Sequence, residues 1–366
     1  MICEFNPFHN GHKFLLEKIK QEYADEIVCI MSGNFVQRGD IAITDKYVRT
    51  EAALEYGADV VVELPAPYAL SSAQTFAAGG VRIASELNCD RLFFGAENSL
   101  KDLTEVAELL ENKQVNDAIR KEMKSGQYYP KALSSALGTE HAAIVCQPNN
   151  ILALEYIKAC RKYGILPVAV PRKNVNHDED IIRDGIASAS KIRELIQNGE
   201  SYRMLTPMKI THPSRIKNIE PAILYRLKTI SADELSTIAD VSEGLENRII
   251  EAAKRYNSMI EIYDAVKTKR YTMARIRRIV LNAFLGVTAA LQNTPVPYLR
   301  ILGMKSGTQG MFKPASLPLV VKTKADYDKL DKTAKAIFDV DLRAAEAMNL
   351  SSGQCLNEFT KGIIKR

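Results

Sequence analysis

The chain has 366 residues, 46% of them hydrophobic, and a formal net charge of +5. This length predicts two domains with a sizeable core, whereas the small basic excess does not identify a partner. Six scattered cysteines without a CxxC pair indicate neither a disulfide framework nor a zinc knuckle, and the lack of a leader or long apolar run predicts a cytoplasmic protein outside the membrane.

The first half alternates short apolar runs with amphipathic segments, which is typical of βα units around a parallel sheet. We predict strands at residues 26–31, 59–64, 91–95 and 165–170, and helices at residues 11–23, 45–56, 73–87 and 151–163. A strand before Asn6 would be short, because only residues 1–5 are available for it. Residues 1–200 are therefore predicted to form a Rossmann-like α/β domain.

The pattern changes after residue 200. Pro207, Pro213 and Pro221 punctuate a connector, long helical stretches follow, and a strand is predicted only at residues 317–321. Residues 201–366 are therefore predicted to form a second, mainly α-helical domain.

A histidine-rich tetrad, His9-Asn10-Gly11-His12, lies where the first strand should end and the first helix should begin. Ligands of open α/β sheets bind at this position. Free amide groups of a helix N-terminus, together with two imidazoles, suit a nucleotide triphosphate. Two histidines that only fill a turn are the simpler alternative, and a zinc site lacks further ligands at suitable spacing.

Two later segments support nucleotide binding. Ser188 and Ser190 open a helix, with Arg193 in its next turn, and this arrangement suits β- and γ-phosphates, although ordinary N-capping also explains the serines. Gly95 ends a predicted strand, where bare backbone would admit a purine or ribose, and a simple turn glycine is the alternative.

Several motifs resemble the bacterial tRNA(Met) cytidine acetate ligase family, within the HIGH-motif nucleotidyltransferases. They are EFNPFHNGH at 4–12, SGNFVQRG at 32–39, ELP at 63–65, PNNIL at 148–152, VSEGLENR at 241–248 and KTKRYT at 267–272. The tetrad alone is typical of the whole superfamily, whereas the ordered set is specific and covers nearly the whole chain. The resemblance implies a HUP-type nucleotidyltransferase domain.

The resemblance also implies an activity in two steps. Acetate would attack the α-phosphate of ATP to give acetyl-adenylate, and the acetyl group would pass to N4 of the wobble cytidine, C34, of elongator tRNA(Met). Mg²⁺ is expected with ATP. The residues that would bind ATP are Ile2, Cys3, Glu4, Phe5, Asn6, Pro7, Phe8, His9, Asn10, Gly11, His12, Lys13, Phe14, Gly95, Asn149, Asn150 and Arg172.

Gln37 and Arg38 occupy the loop after the second predicted strand. Polar side chains of such a loop commonly face the same crevice as the first helix start. We therefore predict His9, His12, Gln37 and Arg38 as catalytic residues, and a structural role in fixing the loop is the alternative for Gln37 and Arg38.

A basic segment without acidic residues covers 267–278. It suggests an RNA-binding face, because arginines three residues apart share one side of a helix and a tyrosine can stack on a base. A solvated basic helix is the alternative. The predicted RNA-binding residues are Lys267, Lys269, Arg270, Tyr271, Arg275 and Arg278.

Two other functions remain open from the sequence. A nucleotidyltransferase for a small phosphorylated metabolite would need little beyond the βα domain, so the second domain argues against it. A non-catalytic RNA-binding protein with a vestigial nucleotide fold is disfavoured by the intact His9, Gly11 and His12.

Overall fold

The computed structural model describes residues 1–24, 26–125, 129–171, 185–242, 244–268 and 271–366. Within these ranges the strands are β1 (Ile2–Cys3), β2 (Val28–Ser32), β3 (Phe35–Val36), β4 (Asp40–Ile41), β5 (Val60–Leu64), β6 (Arg91–Ala96), β7 (Leu166–Pro171), β8 (Leu299–Met304), β9 (Leu319–Val320) and β10 (Ile364–Lys365).

The α-helices of the first half are α1 (Asn10–Glu22), α2 (Lys46–Glu55), α3 (Ala66–Ala69), α4 (Ala73–Glu86), α5 (Leu100–Glu111), α6 (Lys113–Lys124), α7 (Tyr129–Leu137), α8 (Thr139–Cys146), α9 (Pro148–Tyr163) and α10 (Ala189–Asn198). Those of the second half are α11 (Glu220–Thr229), α12 (Ala232–Ser236), α13 (Leu245–Arg255), α14 (Met259–Val266), α15 (Met273–Leu285), α16 (Ala289–Asn293), α17 (Thr323–Tyr327) and α18 (Lys332–Ser352). Short 3-10 helices cover Ile216–Ile219 and Thr308–Phe312.

The main sheet has the strand order β1-β2-β5-β8-β10, with β9 also paired to β8. β1, β2 and β5 are parallel, as predicted, whereas β8 runs antiparallel to β5. β6 and β7 form a separate parallel pair, and β6 lies next to β1. The predicted strands and helices of the first half are confirmed, with ends that differ by a few residues. β8 was not predicted from the sequence.

Helices cover both faces of the sheet because the side chains of its strands alternate between two cores. Val28 and Ile30 belong to the core that contains residues of α4 and α9. Cys29 and Met31 belong to the core that contains residues of α1, α2 and α10. Since successive side chains of a strand point to opposite faces, β2 reads as a continuous apolar run rather than an alternating one.

A third core joins the helices of the second half, from α11 to α15 and including part of α18. The hairpin of β3 and β4 packs into this core through Phe35, Val36 and Ile41. The second half is mainly helical, as predicted, but it also supplies β8, β9 and β10 to the main sheet. The division into domains at residue 200 stays a prediction.

A buried ionic group connects the elements below the loop after β2. Lys46 of α2 lies 2.9 Å from the Glu63 carboxylate and 3.2 Å from that of Glu358. Arg300 of β8 pairs with the same two carboxylates, at 3.1 Å from Glu63. All four side chains are at most 5% exposed. Each charge therefore has partners of opposite sign, which buried charges require.

Candidate functional site

The two histidines of the tetrad form a stacked pair at the N-terminus of α1. His9 is the N-cap, and its Nδ1 accepts a hydrogen bond from the Gly11 amide at 3.1 Å. Nδ1 of His12 accepts one from the His9 amide at 3.2 Å, and the ring centroids are 3.7 Å apart. A neutral imidazole whose Nδ1 accepts carries its proton on Nε2. Each ring is therefore a donor at Nε2, as anion binding requires.

Gly11 permits this arrangement. A Cβ atom at position 11 would lie 3.0 Å from Cε1 and 3.1 Å from Nδ1 of His9. These distances are tighter than ordinary packing, so a larger residue would displace the imidazole of His9 from the first turn of α1. The glycine of the tetrad thus leaves room for the imidazole ring of His9.

The first turn of α10 lies beside the loop that carries the tetrad. The N-cap Ser188 accepts a hydrogen bond from the Lys191 amide at 3.1 Å. Arg193 donates to the Asn6 carbonyl oxygen at 2.6 Å and to Ser190 Oγ at 3.1 Å. The structure therefore brings the two predicted phosphate-binding helix starts together.

Asn10 also connects the two helix starts. Its Nδ2 donates to the carbonyl oxygens of Gly185 and Met204, each at 2.8 Å, and these residues lie on either side of α10. Asn10 was predicted to bind ATP, but its amide nitrogen is used in holding the segment around α10 against α1.

The remaining residues before the tetrad form its support. Phe5 and Phe8 are almost fully buried, and the Phe5 ring contacts those of Phe8 and His12 at centroid distances of 4.9 and 5.0 Å. Asn6 Oδ1 accepts a hydrogen bond from the Ile43 amide at 2.7 Å. Ile2 and Cys3 are buried in β1. These side chains stabilise the loop from below.

Pro7 follows Asn6 through a cis peptide bond. Beyond the tetrad, the Lys13 ammonium lies 4.9 Å from the centroid of the Tyr56 ring, and Phe14 is exposed.

Arg49 of α2 holds the end of β1 and the loop after β2 together. The guanidinium is fully buried and donates to the carbonyl oxygens of Glu4 at 2.7 Å, Ser32 at 3.0 Å and Thr44 at 3.2 Å. It also donates to the Gly33 carbonyl oxygen. Burial lowers the pKa of Arg49 to about 10, so the group remains charged at neutral pH. Sequence reasoning missed Arg49, because a single arginine in a helix carries no signal.

The predicted catalytic loop is fixed next to β1. The Gln37 amide donates to Glu4 Oε1 at 2.7 Å, and Gln37 Nε2 donates to the Ser71 carbonyl oxygen at 3.2 Å. Burial raises the pKa of Glu4, and Arg193, Arg38 and Arg49 oppose this rise. Arg38 itself is exposed. Gln37 therefore has the contacts of a loop anchor, and Arg38 remains accessible to a ligand.

The predicted adenine side lies between β6 and α9. Asn150 is fully buried, accepts a hydrogen bond from the Glu97 amide at 3.3 Å and donates to Asn98 Oδ1 at 2.8 Å. Asn149 Nδ2 donates to Glu97 Oε1 at 2.5 Å. Both asparagines therefore lie beside the turn that follows Gly95, and Asn150 supports this turn internally. Arg172 lies outside the described residues.

The predicted RNA-binding face needs a correction for two of its members. Tyr271 is 7% exposed and Arg278 is 8% exposed, so neither offers a surface for a base or a phosphate. Arg278 instead pairs with the Asp240 carboxylate at 2.9 Å. Arg275 lies on the same side of α15 and donates to the Asp240 carbonyl oxygen at 2.8 Å and to Ser242 Oγ at 2.6 Å.

Lys267 is exposed, and Lys269 and Arg270 fall outside the described ranges. The search of the described residues also finds no group of His, Cys, Asp and Glu side chains arranged to bind a metal ion. None of the helices in the same part of the chain has the length and apolar character needed to span a membrane.

Comparison with known proteins shows the family to which the chain belongs. The sequence profile of the HIGH Nucleotidyl Transferase family matches residues 1–361. The tRNA(Met) cytidine acetate ligase of Acetivibrio thermocellus is 34% identical over 408 aligned positions, which cover 100% of this chain and 98% of that protein. The tRNA(Met) cytidine acetate ligase of Bacillus subtilis is 35% identical, covering 96% of this chain and 91% of the relative.

Solved structures agree with the sequence comparison. The crystal structure of Thermotoga maritima TmcAL bound with alpha-thio ATP is 28% identical in sequence, with a TM-score of 0.89 over 100% of this chain and 98% of that chain. The apo form of the same protein gives a TM-score of 0.90 at 27% identity, with the same coverage. This chain therefore belongs to the HIGH nucleotidyltransferase family and, within it, to the tRNA(Met) cytidine acetate ligase family.

Proposed function

We propose that this chain is an ATP-dependent ligase that acetylates N4 of the wobble cytidine, C34, of elongator tRNA(Met). The observation that carries the proposal is the close approach of two helix starts: Arg193 of α10 donates to Ser190 and to the Asn6 carbonyl oxygen, three residues before the stacked pair of His9 and His12. The relatives named as ligases of this kind support the same activity. We expect the protein to act in the cytoplasm.

In the first step, a carboxylate oxygen of acetate attacks the α-phosphorus of ATP, and the bond to the bridging oxygen breaks to release pyrophosphate. Acetate is ionised at neutral pH, so the step needs positioning and charge neutralisation more than a strong base. Nε2–H groups of His9 and His12 would donate to the α-phosphate oxygens. The N-terminus of α10 would bind the β- and γ-phosphates, with Mg²⁺ as an expected counter-ion.

In the second step, N4 of the cytidine attacks the acetyl carbonyl carbon, the bond to the AMP oxygen breaks, and N4 loses a proton. N4-acetylcytidine and AMP are the products. Gly95, Asn149, Asn150 and Arg172 are proposed on the adenine side, while Gln37 and Arg38 stay proposed at the reacting groups.

The first step is tested by acetate-dependent exchange of labelled pyrophosphate into ATP without RNA. We expect His9→Ala and His12→Ala to slow the exchange about a hundredfold or more, because each removes a donor that stabilises developing charge. Both variants should still bind tRNA. His141→Ala is the matched control, since His141 lies on α8, where it contacts Glu105 and the Leu137 carbonyl oxygen.

Unchanged exchange in both tetrad variants would contradict the assignment of the site. Exchange that depends on a small phosphorylated metabolite in place of acetate would contradict the proposed substrate.

A further inference from the structure

Two exposed arginines, Arg38 and Arg277, lie at the junction where the loop after β2 meets α15. Gly39 allows the backbone of this loop to approach α15 closely. Its φ is +76°, and a Cβ atom on it would lie 2.6 Å from Cβ of Arg277 and 2.8 Å from the Arg278 amide nitrogen. Residue 39 therefore packs directly on the helix, and the side chain before it emerges next to Arg277.

Neither arginine is engaged in an ion pair with a described residue, although Arg277 lies over an aromatic ring. Within the described part of the chain, Arg38 and Arg277 form no hydrogen bond and no ion pair. Arg275 and Arg278, on the same helix, donate to Asp240. A charged group that is exposed and unpaired keeps its full capacity for a ligand, whereas one paired internally does not. The two arginines are thus the available cations of this junction.

The backbone and one side chain at the junction are already held in place. The guanidinium carbon of Arg277 lies 5.9 Å from the centroid of the Tyr263 ring, and Tyr263 is 8% exposed. The loop is fixed by the bond from the Gln37 amide to Glu4 and by the pairing of β3 with β4. A fixed site loses less conformational entropy when it binds a ligand.

The junction borders the nucleotide site. Burial raises the pKa of the Asp40 carboxyl, and the nearby Arg193 and Arg277 oppose this rise. Burial likewise raises the pKa of the Glu4 carboxyl, and Arg193 and Arg38 oppose this rise. Arg193 in turn bonds to Asn6, next to the tetrad. Arg38, Arg193 and Arg277 thus lie close enough to two half-buried carboxyl groups to act on them electrostatically, and this basic group adjoins the loop that carries the tetrad.

We propose that Arg38 and Arg277 bind backbone phosphates of the RNA next to the target cytidine, and this rests on the proposed function. The guanidinium fork matches two phosphate oxygens. The triphosphate of ATP has the same chemistry, but the starts of α1 and α10 are already proposed for that ligand, whereas Arg277 comes from the helical half. Arg38 would then act at the reacting groups by holding the RNA there.

The test compares Arg38→Ala, Arg277→Ala and the double variant with Arg120→Ala, which removes an exposed arginine from α6. Affinity for transcribed tRNA(Met) is measured over a series of salt concentrations, and ATP affinity is measured separately. We expect each single variant to weaken tRNA binding about tenfold. Each should also reduce the slope of log affinity against log salt by about one. Arg277→Lys should restore most of the slope, because it keeps the charge.

The outcomes separate the two proposals. Wild-type protein that does not bind tRNA would contradict the proposed function itself. Wild-type binding, with unchanged affinity and salt slope in the double variant, would overturn only the role of Arg38 and Arg277. A loss of ATP affinity equal to the loss of tRNA affinity would assign the arginines to the triphosphate and overturn the proposal as well. Thermal melting of each variant identifies a loss that comes from unfolding.

Discussion

Replacing Arg49 by lysine tests whether one buried guanidinium holds the floor of the site. Arg49 donates to four backbone oxygens, of Glu4, Ser32, Gly33 and Thr44, from three different nitrogens. A lysine keeps the charge but donates from a single nitrogen. Its ammonium has three N–H donors, so we expect at least one of the four carbonyl oxygens to lose its donor.

The cost follows from the burial of these groups. A buried polar group left without its partner costs about 1–3 kcal/mol, so the lysine variant should lose about 1–3 kcal/mol for each carbonyl oxygen left without a donor. A folded protein has about 5–15 kcal/mol of stability in total, so we expect the lysine variant to fold at 25 °C with a clearly reduced margin. Its affinity for ATP should also fall, because Glu4 and Gly33 flank the strand ends that support the tetrad.

Urea unfolding followed by circular dichroism measures the free energy of unfolding, and an ATP titration measures the second effect. Arg120→Lys is the matched control, because Arg120 is exposed and a surface change of this kind costs within about 0.5 kcal/mol. If Arg49→Lys unfolds with the free energy of the wild type, the proposed role of the guanidinium is refuted.

Two further changes test the turn beside Gly95 and the buried ionic group. Asn150→Ala should cost about 1–3 kcal/mol of unfolding free energy and weaken ATP binding, while Asn149→Ala, with its single contact to Glu97, should unfold almost like wild type in urea. Burial raises the pKa of Glu358, but its two cationic partners outweigh this effect and lower the pKa to about 2. A carboxyl group whose pKa is lower in the folded protein than in the unfolded chain stabilises the fold when the pH is above the unfolded pKa. This stabilisation is lost as the pH falls towards the pKa of the folded protein. The cost of Glu358→Gln should therefore be about 3–5 kcal/mol at pH 7 and should shrink below about pH 4, and a cost independent of pH would contradict the ion pairs.

The parallel part of the sheet was predictable because its strands are buried on both faces. Residues 26–31 and 59–64 are apolar runs between amphipathic segments, and they become β2 and β5. The position of the tetrad at a helix start was predictable because its sequence signal is local. It is a short polar motif at a helix start, and the hydrogen bonds of its cap, between His9, Gly11 and His12, are local.

β8 was not predictable because its chemistry depends on distant partners. Arg300 and Gly303 interrupt the apolar run of Leu299–Met304, so the segment does not read as a buried strand. In the structure, Arg300 is buried against Glu63 and Glu358. The local sequence pattern does not show that these two carboxylates, which are distant in the chain, lie next to Arg300.

The helix α15 illustrates the same limit for the site. A local excess of basic residues predicts an exposed face, but Arg278 forms an ion pair with Asp240, which lies 38 residues earlier in the chain. Arg277, between Arg275 and Arg278, stays exposed instead. The sequence therefore shows that the segment is basic, but only the packing of α15 shows which of its arginines is accessible.

The most direct test of the proposed function follows labelled acetate into RNA. Wild-type protein is incubated with ATP, labelled acetate and transcribed elongator tRNA(Met), and the modified nucleotide is mapped. We predict that the label appears at N4 of the wobble cytidine and is absent when that cytidine is replaced by uridine. RNA without label, combined with pyrophosphate release in the presence of a small phosphorylated metabolite, would contradict the proposed function.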